Sequence, residues 1–444
     1  MLRTYGAGNP ETFEVSGNEV LQAIQQNVDA GIADAEARTY WMPPVEGEEG
    51  VLEIELAAGV DPQTLKVALP QLSHLVMLAT DERVWAKRIG DGAYCNVDLM
   101  CTAHRSDNNS LAVAHMQYVS SGGTYICTGT LMNNTRQDFT PYFLSANHCI
   151  STQSEASSLV TYWDFRASSC NSGQLYAGSR TVTGGAQLLY ASSRTDTSFM
   201  RLRGALPSGR LFAGWDARTA SASGSVYGIH HPKGDLQMVS EGQLKQFLNC
   251  PSGSGDGTFT CMGATSATGG YLNALWSSGT TEGGSSGSAL FNPSGQIVGQ
   301  LYGGSSSCSN PAGSNIYGRL DLAFNAALKQ WLAPDGGTAP APVKRSAVYR
   351  FYNATTQAHF YTNSAVERDS IINNNKQFKY EGTAFYAPAV AGANLSPVHR
   401  FYNRDTGVHF YTLSKTERDK IINTMPYYKY EGPTWYAQAT EGSG

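Results

Sequence analysis

The sequence predicts a mainly β chain, with a central barrel or sandwich flanked by a smaller α+β module on each side. Three observations carry this. Between residues 90 and 334, short apolar runs such as Val113–Val119, Leu159–Asp164 and Gly224–His230 are separated by Gly/Ser/Asn turns. That is the texture of many short strands. All eight cysteines lie in the same region, between Cys95 and Cys308. Beyond it, Arg350-Phe-Tyr-Asn353 recurs as Arg400-Phe-Tyr-Asn403, and His359-Phe-Tyr-Thr362 as His409-Phe-Tyr-Thr412.

The bulk numbers bound what such a chain can do. At 444 residues it is long enough for several domains, and 41% hydrophobic with 15% charged residues is the composition of a folded protein. A net charge of −5 gives no footing for a nucleic-acid partner. No apolar run approaches the ~20 residues of a membrane span. An even number of cysteines, without a C-x-x-C pair or a Cys/His cluster at zinc spacing, favours disulfides in an oxidising compartment over a metal site. Neither a metal nor another cofactor is therefore expected, and the chain reads as secreted. Met1-Leu-Arg-Thr-Tyr-Gly6 lacks the basic-then-apolar pattern of a signal peptide, so the reading assumes that the signal is absent from this chain.

Residues 1–89 form the first module. Ser16-Gly-Asn-Glu19 has capping-box spacing, and Val20, Leu21, Ile24 and Val28 fall on one helical face before Gly31. Leu52–Leu56 alternates with period two, and Leu65–Leu69 reads as a further strand after the Asp61-Pro62 turn. The basic pair Lys87-Arg88 marks the module's end and is a candidate processing site. Residues 90–334 form the central domain, which closes with a helix over Asp321–Leu332. A proline-stiffened linker, 335–346, follows.

Residues 347–444 hold the repeat. In each copy, Ser364-x-x-Glu367 or Ser414-x-x-Glu417 caps a short helix set between aromatic strands. Neither copy alone would bury a sufficient core, so the two are expected to pack as one domain. Most of the aromatics belong to that core. Exposed ones would suit stacking on sugar rings, which makes a glycan or cell-surface ligand the candidate partner of residues 347–444.

The chemistry concentrates in the central domain. Glu282-Gly-Gly-Ser-Ser-Gly-Ser-Ala-Leu290 runs into the apolar strand Gln296–Tyr302. Glycines in such a turn let backbone amides face a bound group and can hold a serine as a nucleophile. Upstream, Tyr142-Phe-Leu-Ser-Ala-Asn-His-Cys149 places His148 after an apolar strand and beside a cysteine, with Cys127 available to close the loop. Such a bridge is worth ~3 kcal/mol. Asp196 opens the apolar run Thr197–Leu202. His148, Asp196 and Ser286 thus occur in the chain order found where a Ser-His-Asp triad is built on paired β-barrels.

On these residues the segment 90–334 resembles the bacterial lysyl endopeptidase branch of the chymotrypsin-like serine proteases. The matching blocks are Cys95–Cys101, Cys127-Thr-Gly-Thr-Leu-Met-Asn-Asn134, Leu144–Cys149, Ala213-Gly-Trp-Asp216, Ile229-His-His-Pro232, Gly284–Ser288 and Tyr317-Gly-Arg319. The resemblance implies a double β-barrel acting on protein or peptide substrates. Ser286 would be its nucleophile, His148 its general base and Asp196 the group orienting the imidazole. The N–H groups of Gly284 and Ser286 would form the oxyanion hole. Leu301, Tyr302 and Gly303 would pair with the substrate backbone, and Thr281, Glu282, Asn315 and Trp215 would surround the side chain before the scissile bond. The implied disulfides are Cys95–Cys308, Cys101–Cys170 and Cys127–Cys149, which leaves Cys250 and Cys261 to close a local loop.

Three departures from that family qualify the expectation. Ser285 stands where animal digestive proteases carry the aspartate that pairs with a newly cut N-terminus, so residues 1–89 would act as a prodomain by covering the cleft or guiding folding. Asn315 replaces the aspartate that binds the substrate ammonium in lysine-specific enzymes, leaving Glu282 as the acidic candidate nearby. Tyr302 replaces a histidine held against a tryptophan, here Trp215. Strict lysine selectivity is therefore not expected, and the preference before the scissile bond is left open, a basic residue being one candidate. A contrasting reading keeps the fold as a catalytically silent scaffold and gives the work to the C-terminal repeats.

Overall fold

The computed structural model describes residues 1–7, 12–32, 37–42, 45, 49–69, 72, 90–106, 108–207, 209–221, 223–250, 259–336, 345–388 and 395–438. The chain divides into two compact units, the first formed by Met1–Pro207 with Phe212–Ala341, the second built on Pro342–Gly444.

The first module is a three-stranded antiparallel sheet, β1 (Leu2–Gly6) between β2 (Phe13–Val15) and β3 (Gly50–Ile54), with helix α1 (Gly17–Asp29). The Ser16 hydroxyl accepts the Glu19 N–H, and the Glu19 carboxylate accepts the Ser16 N–H, so the expected capping box is present. The buried face of the helix is offset from the one its larger apolar residues suggest, with Val20 and Ile24 half-buried. Ala23 and Asn27 are buried, whereas Leu21 and Val28 are exposed. Asn27 is the reason: its side-chain oxygen accepts from Ser157 Oγ at 2.7 Å and from Arg203 Nη1 at 3.0 Å, docking the module on the barrel behind it. Leu65–Leu69 does not form the expected strand. The segment lies exposed, with no strand partner among the described residues. Lys87-Arg88 lies outside the described residues.

Two β-sheet assemblies follow. The first runs in the order β10-β11-β7-β6-β5-β8-β9, from β5 (Val113–Ser120), β6 (Gly123–Met132), β7 (Tyr142–Ala146), β8 (Val160–Trp163), β9 (Arg180–Val182), β10 (Ala186–Ser192) and β11 (Thr197–Leu202). A short helix α2 (Gln153–Ser157) follows β7. The second is a closed barrel of β12 (Ser225–His230), β16 (Ala289–Phe291), β17 (Ile297–Gly304), β18 (Asn315–Arg319), β15 (Tyr271–Ser278) and β13 (Met238–Asn249), closed by the pairing of β12 with β13. Strands β4 (Val97–Asp98) and β14 (Met262–Ala264) add to β13.

The barrel core is formed by Val226, Leu244, Leu272, Trp276, Leu290, Val298, Leu301 and Tyr317, the inward positions of alternating strands. β18 leads directly into α3 (Leu320–Ala323), a π-turn over Phe324–Leu328 and α4 (Lys329–Leu332), which is the closing helix expected from the sequence. Under its start, Arg319 makes a buried paired contact with Asp321 and donates to the Gly269 carbonyl at 2.7 Å. Four disulfides staple the unit, joining Cys95 to Cys308, Cys101 to Cys170, Cys127 to Cys149 and Cys250 to Cys261.

The second unit consists of two three-stranded sheets of the same order. The first is β20 (Ala358–Thr362), β19 (Arg345–Asn353) and β21 (Phe378–Pro388); the second is β23 (His409–Thr412), β22 (Leu395–Asn403) and β24 (Tyr428–Gln438). Helices α5 (Ala365–Asn374) and α6 (Lys415–Thr424) are capped by Ser364 and Ser414. Val348, Ala387, Val398 and Trp435 form a common core, so the copies pack on each other.

Candidate active site

Strand register assembles the site. β7 and β11 are neighbours with Ala146 opposite Thr197, so the residues just beyond them, His148 and Asp196, meet. The Asn147 N–H donates to the Asp196 carbonyl at 2.9 Å. His148 Nδ1 lies 2.7 Å from Asp196 Oδ2, and the His148 N–H donates to Asp196 Oδ1 at 2.9 Å. Both carboxylate oxygens are thus spent on one residue, which fixes the imidazole's place and orientation. Asp196 sits at φ 50°, in the left-handed region that a short polar residue tolerates. Gln300 Nε2 holds that turn by donating to the carbonyls of Thr195 and Asp196. Burial raises the Asp196 carboxyl pKa above its ordinary value, and the bonds to His148 oppose the shift.

Ser286 precedes β16 and is tied to the first sheet. Thr128 on β6 donates its N–H to the Ser286 carbonyl at 2.8 Å and its hydroxyl to the Gly284 carbonyl at 2.8 Å. Thr128 follows Cys127, and His148 precedes Cys149, so the Cys127–Cys149 disulfide fastens the serine loop's anchor to the histidine's loop. Gly287 shows why the loop must be glycine here. At φ 80°, a Cβ would lie 2.1 Å from Ser145 Oγ and 2.6 Å from the Thr128 carbonyl. Gly284, at φ 91°, would place a Cβ 2.8 Å from the His231 carbonyl. Within the loop, the Ser285 N–H donates to the Glu282 carbonyl and that of Gly287 to Leu301. Among the described residues, no protein acceptor takes the N–H of Gly284 or Ser286.

Ser285 has a specific partner that the sequence did not announce. Ser240 Oγ donates to the Thr280 carbonyl, so it accepts from His230 Nε2, and His230 Nδ1 in turn accepts the Ser285 hydroxyl at 2.9 Å. The network needs a neutral imidazole, and complete burial pushes its pKa down to about 3. Its only sequence trace was the Ile229-His-His-Pro232 block.

The expected substrate-side residues separate into three groups. Thr281 and Asn315 are buried together: the Thr281 and Ser306 hydroxyls both donate to Asn315 Oδ1 at 2.7 Å. Its Nδ2 faces the Ala274 and Gly313 carbonyls, which fixes the amide's orientation. Leu301 pairs its backbone with Gly287 and Ser288. Beyond it, β16 pairs with β17 as far as Gln300, and Gly303 pairs with Ile316 of β18 on the other side.

Two expectations are corrected. Glu282 does not offer a free carboxylate. It accepts from the Ala93 N–H at 2.8 Å and Asn96 Nδ2 at 2.7 Å, and pairs with Lys233 at 3.3 Å. Trp215 does not hold Tyr302. It is buried against Phe324 and donates to the Asn133 carbonyl, while Tyr302 packs on Phe259 and Tyr271 and meets His148 edge-on. The sequence also passed over Asp235, whose carboxylate accepts the N–H groups of Gly90 and Gly92 at 3.0 and 3.2 Å. Cys127, His148 and Cys149 cluster at metal-ligand distance, but both sulfurs are consumed by the disulfide.

A closed barrel and a seven-stranded sheet, with a histidine, an aspartate and a serine among glycines in this chain order, have the chymotrypsin-like protease fold. The family model for the lysyl endopeptidase C-terminal domain matches residues 89–318, and the chain belongs to that family. The model for the lysyl endopeptidase N-terminal domain matches residues 1–76, and a domain of unknown function matches residues 330–444. A lysyl endopeptidase of Pseudomonas aeruginosa is 33% identical over 327 residues, covering 70% of this chain and 66% of that protein. Among solved structures, the active form of the Rv3671c protease from M. tuberculosis is 14% identical, with 53% of this chain and 85% of that chain covered at a TM-score of 0.35. The MamO protease domain of Magnetospirillum magneticum is 12% identical, covering 50% and 97% at a TM-score of 0.34.

Proposed function

We propose that the chain is a serine endopeptidase working through an acyl-enzyme. The observation that carries the reading is the double hold of Asp196 on His148, next to a serine loop anchored through Thr128. Ser286 Oγ attacks the peptide carbonyl and passes its proton to His148 Nε2. Asp196 keeps the proton on Nδ1 and stabilises the imidazolium that forms. The N–H groups of Gly284 and Ser286 receive the oxyanion, each worth roughly 3 kcal/mol in the transition state. The imidazolium then gives its proton to the leaving amine, and water repeats the cycle on the acyl group.

Leu301, Tyr302 and Gly303, on the strand that Leu301 ties to the serine loop, would take an extended peptide as an added strand. Selectivity for lysine is not strict in this reading, because Asn315 is neutral and Glu282 is committed to the 93–96 segment. The four disulfides favour an extracytoplasmic setting. Residues 1–89 act as a prodomain docked through Asn27. In the second unit, exposed aromatics such as Tyr380, Tyr427 and Tyr430 offer stacking faces to a glycan or cell-surface ligand. Casein hydrolysis by Asp196→Asn tests the mechanism: a fall on the order of 10⁴-fold is expected, and an unchanged rate contradicts it.

A further inference from the structure

The two C-terminal repeats meet through a contact that runs in one direction. In the second repeat, the Arg400 guanidinium donates through both Nη atoms to the Glu367 carboxylate of the first, at 2.9 and 3.1 Å. Its Nε lies 2.9 Å from Glu431, which also approaches His409 Nε2 at 3.3 Å. Phe360 of the first repeat covers this group, with its ring centroid 4.6 Å from that of His409 and 5.2 Å from Arg400 Cζ. Phe360 and Glu367 thus form one half of the contact, and Arg400, His409 and Glu431 the other.

Each repeat carries both halves, yet the contact is made once. The first repeat builds the same receiving half: Arg350 Nε lies 2.8 Å from Glu381, and His359 Nε2 lies 3.3 Å from the same oxygen. Among the described residues no carboxylate closes the Arg350 fork as Glu367 closes that of Arg400. The exposure follows: the Arg350 and His359 side chains are each 43% exposed, against 12% and 14% for Arg400 and His409. The second repeat likewise carries the inserting half unused. Glu417 accepts the Thr412 hydroxyl at 2.6 Å and is exposed, with no cation paired to it among the described residues. Phe410, at the position of the buried Phe360, is only partly covered.

We infer that the C-terminal unit associates head to tail with a second copy of this chain, Phe410 and Glu417 of one copy seating on His359 and Arg350 of the next. The charges are complementary, and the mode repeats one that the fold already uses once. A bidentate arginine–carboxylate pair beside an aromatic ring supplies both geometry and attraction. Such a contact is heterologous, so it closes into a ring or extends into a chain according to the rotation between copies.

The test is the mass of the full chain in solution, by sedimentation from about 1 to 100 µM at low and high salt. Wild type should exceed the 47.7 kDa monomer mass as concentration rises, and less so at high salt. Arg350→Glu and Glu417→Arg should each abolish association, and the double exchange should restore it. Casein hydrolysis and circular dichroism should be unchanged in all three variants, since neither residue belongs to the protease unit. A wild type that stays monomeric throughout overturns the inference and leaves the Arg350 fork to some other acidic ligand. Association indifferent to both single reversals overturns it as well.

Discussion

Glu282, four residues before Ser286, accepts the Asn96 side-chain amide at 2.7 Å. A carboxylate at the edge of the serine loop is therefore employed in holding the 93–96 segment. Asp235 does the same from the neighbouring turn by accepting Gly90 and Gly92, and that turn touches the serine loop through the bond from the Lys233 N–H to the Gly283 carbonyl. The loop's position and the 90–96 segment's position are thus coupled.

Glu282→Gln consequently acts on stability and not on selectivity. The variant weakens charge-assisted hydrogen bonds in a largely buried setting, a loss of about 2 kcal/mol. Calorimetry should show a lowered Tm. The ratio of kcat/KM for lysine over a neutral residue before the scissile bond should stay within about twofold. A collapse of lysine cleavage with unchanged Tm would restore Glu282 to the specificity pocket.

Gly284→Ala should spare much of the fold and damage catalysis. Its φ of 91° strains an L-residue, and the added Cβ presses on the His231 carbonyl. Displacing one oxyanion donor costs on the order of 10²–10³ in kcat. Steady-state kinetics on a chromogenic peptide would measure it, and a wild-type kcat would remove Gly284 from that role.

The Cys127–Cys149 bridge is expected to matter for both stability and rate. Replacing both cysteines by alanine opens a loop with a sequence separation of 22 and should cost ~3 kcal/mol. Hydrolysis should fall as well, because the bridge fixes Thr128, the anchor of Ser286, relative to His148. Equal activity per folded molecule, with folded protein counted by near-UV circular dichroism, would show that strand pairing alone holds the two loops.

Two buried histidines give a stability dependence on pH of definite sign. Burial depresses His230 to about 3 and His231 to about 4, so the folded state keeps them neutral while the unfolded chain protonates them below ~6.5. Their contribution is full above ~6.5 and is lost as pH falls toward 4, by roughly 1.4 kcal/mol per unit for each. Asp196 and Asp235, both raised by burial, act in the opposite sense over the acidic end of this window. The difference between wild type and His230→Gln isolates one histidine. Urea unfolding from pH 7 to 5 should show the smaller slope in the variant, and equal slopes would place His230 in solvent.

Much of this was legible in the residues, and the reasons for the rest are physical. Cysteine positions, the Gly/Ser loop and the fifty-residue repetition are local patterns, and each appears in the structure where the pattern lies. Leu65–Leu69 has strand composition but lies exposed with no strand partner among the described residues, and a pattern of two faces cannot report a missing neighbour. The buried face of α1 is set by Asn27, a polar residue that hydrophobic periodicity ignores. Glu282 was misread because its charge was visible while Ala93 and Asn96, far upstream, were not visibly its partners. The one-way contact of the C-terminal repeats was hidden for the opposite reason: equal sequences occupy unequal surroundings.

The central claim is that Ser286 is the nucleophile, activated by His148 under the hold of Asp196. The most direct measurement is labelling of the proteolytically processed protein with a fluorophosphonate, read by peptide mass spectrometry. Wild type should carry one adduct, on Ser286, and lose casein hydrolysis in step with labelling, while Ser286→Ala should remain folded and unlabelled. Absence of labelling in processed, folded wild type, or an adduct on another residue, would contradict the account.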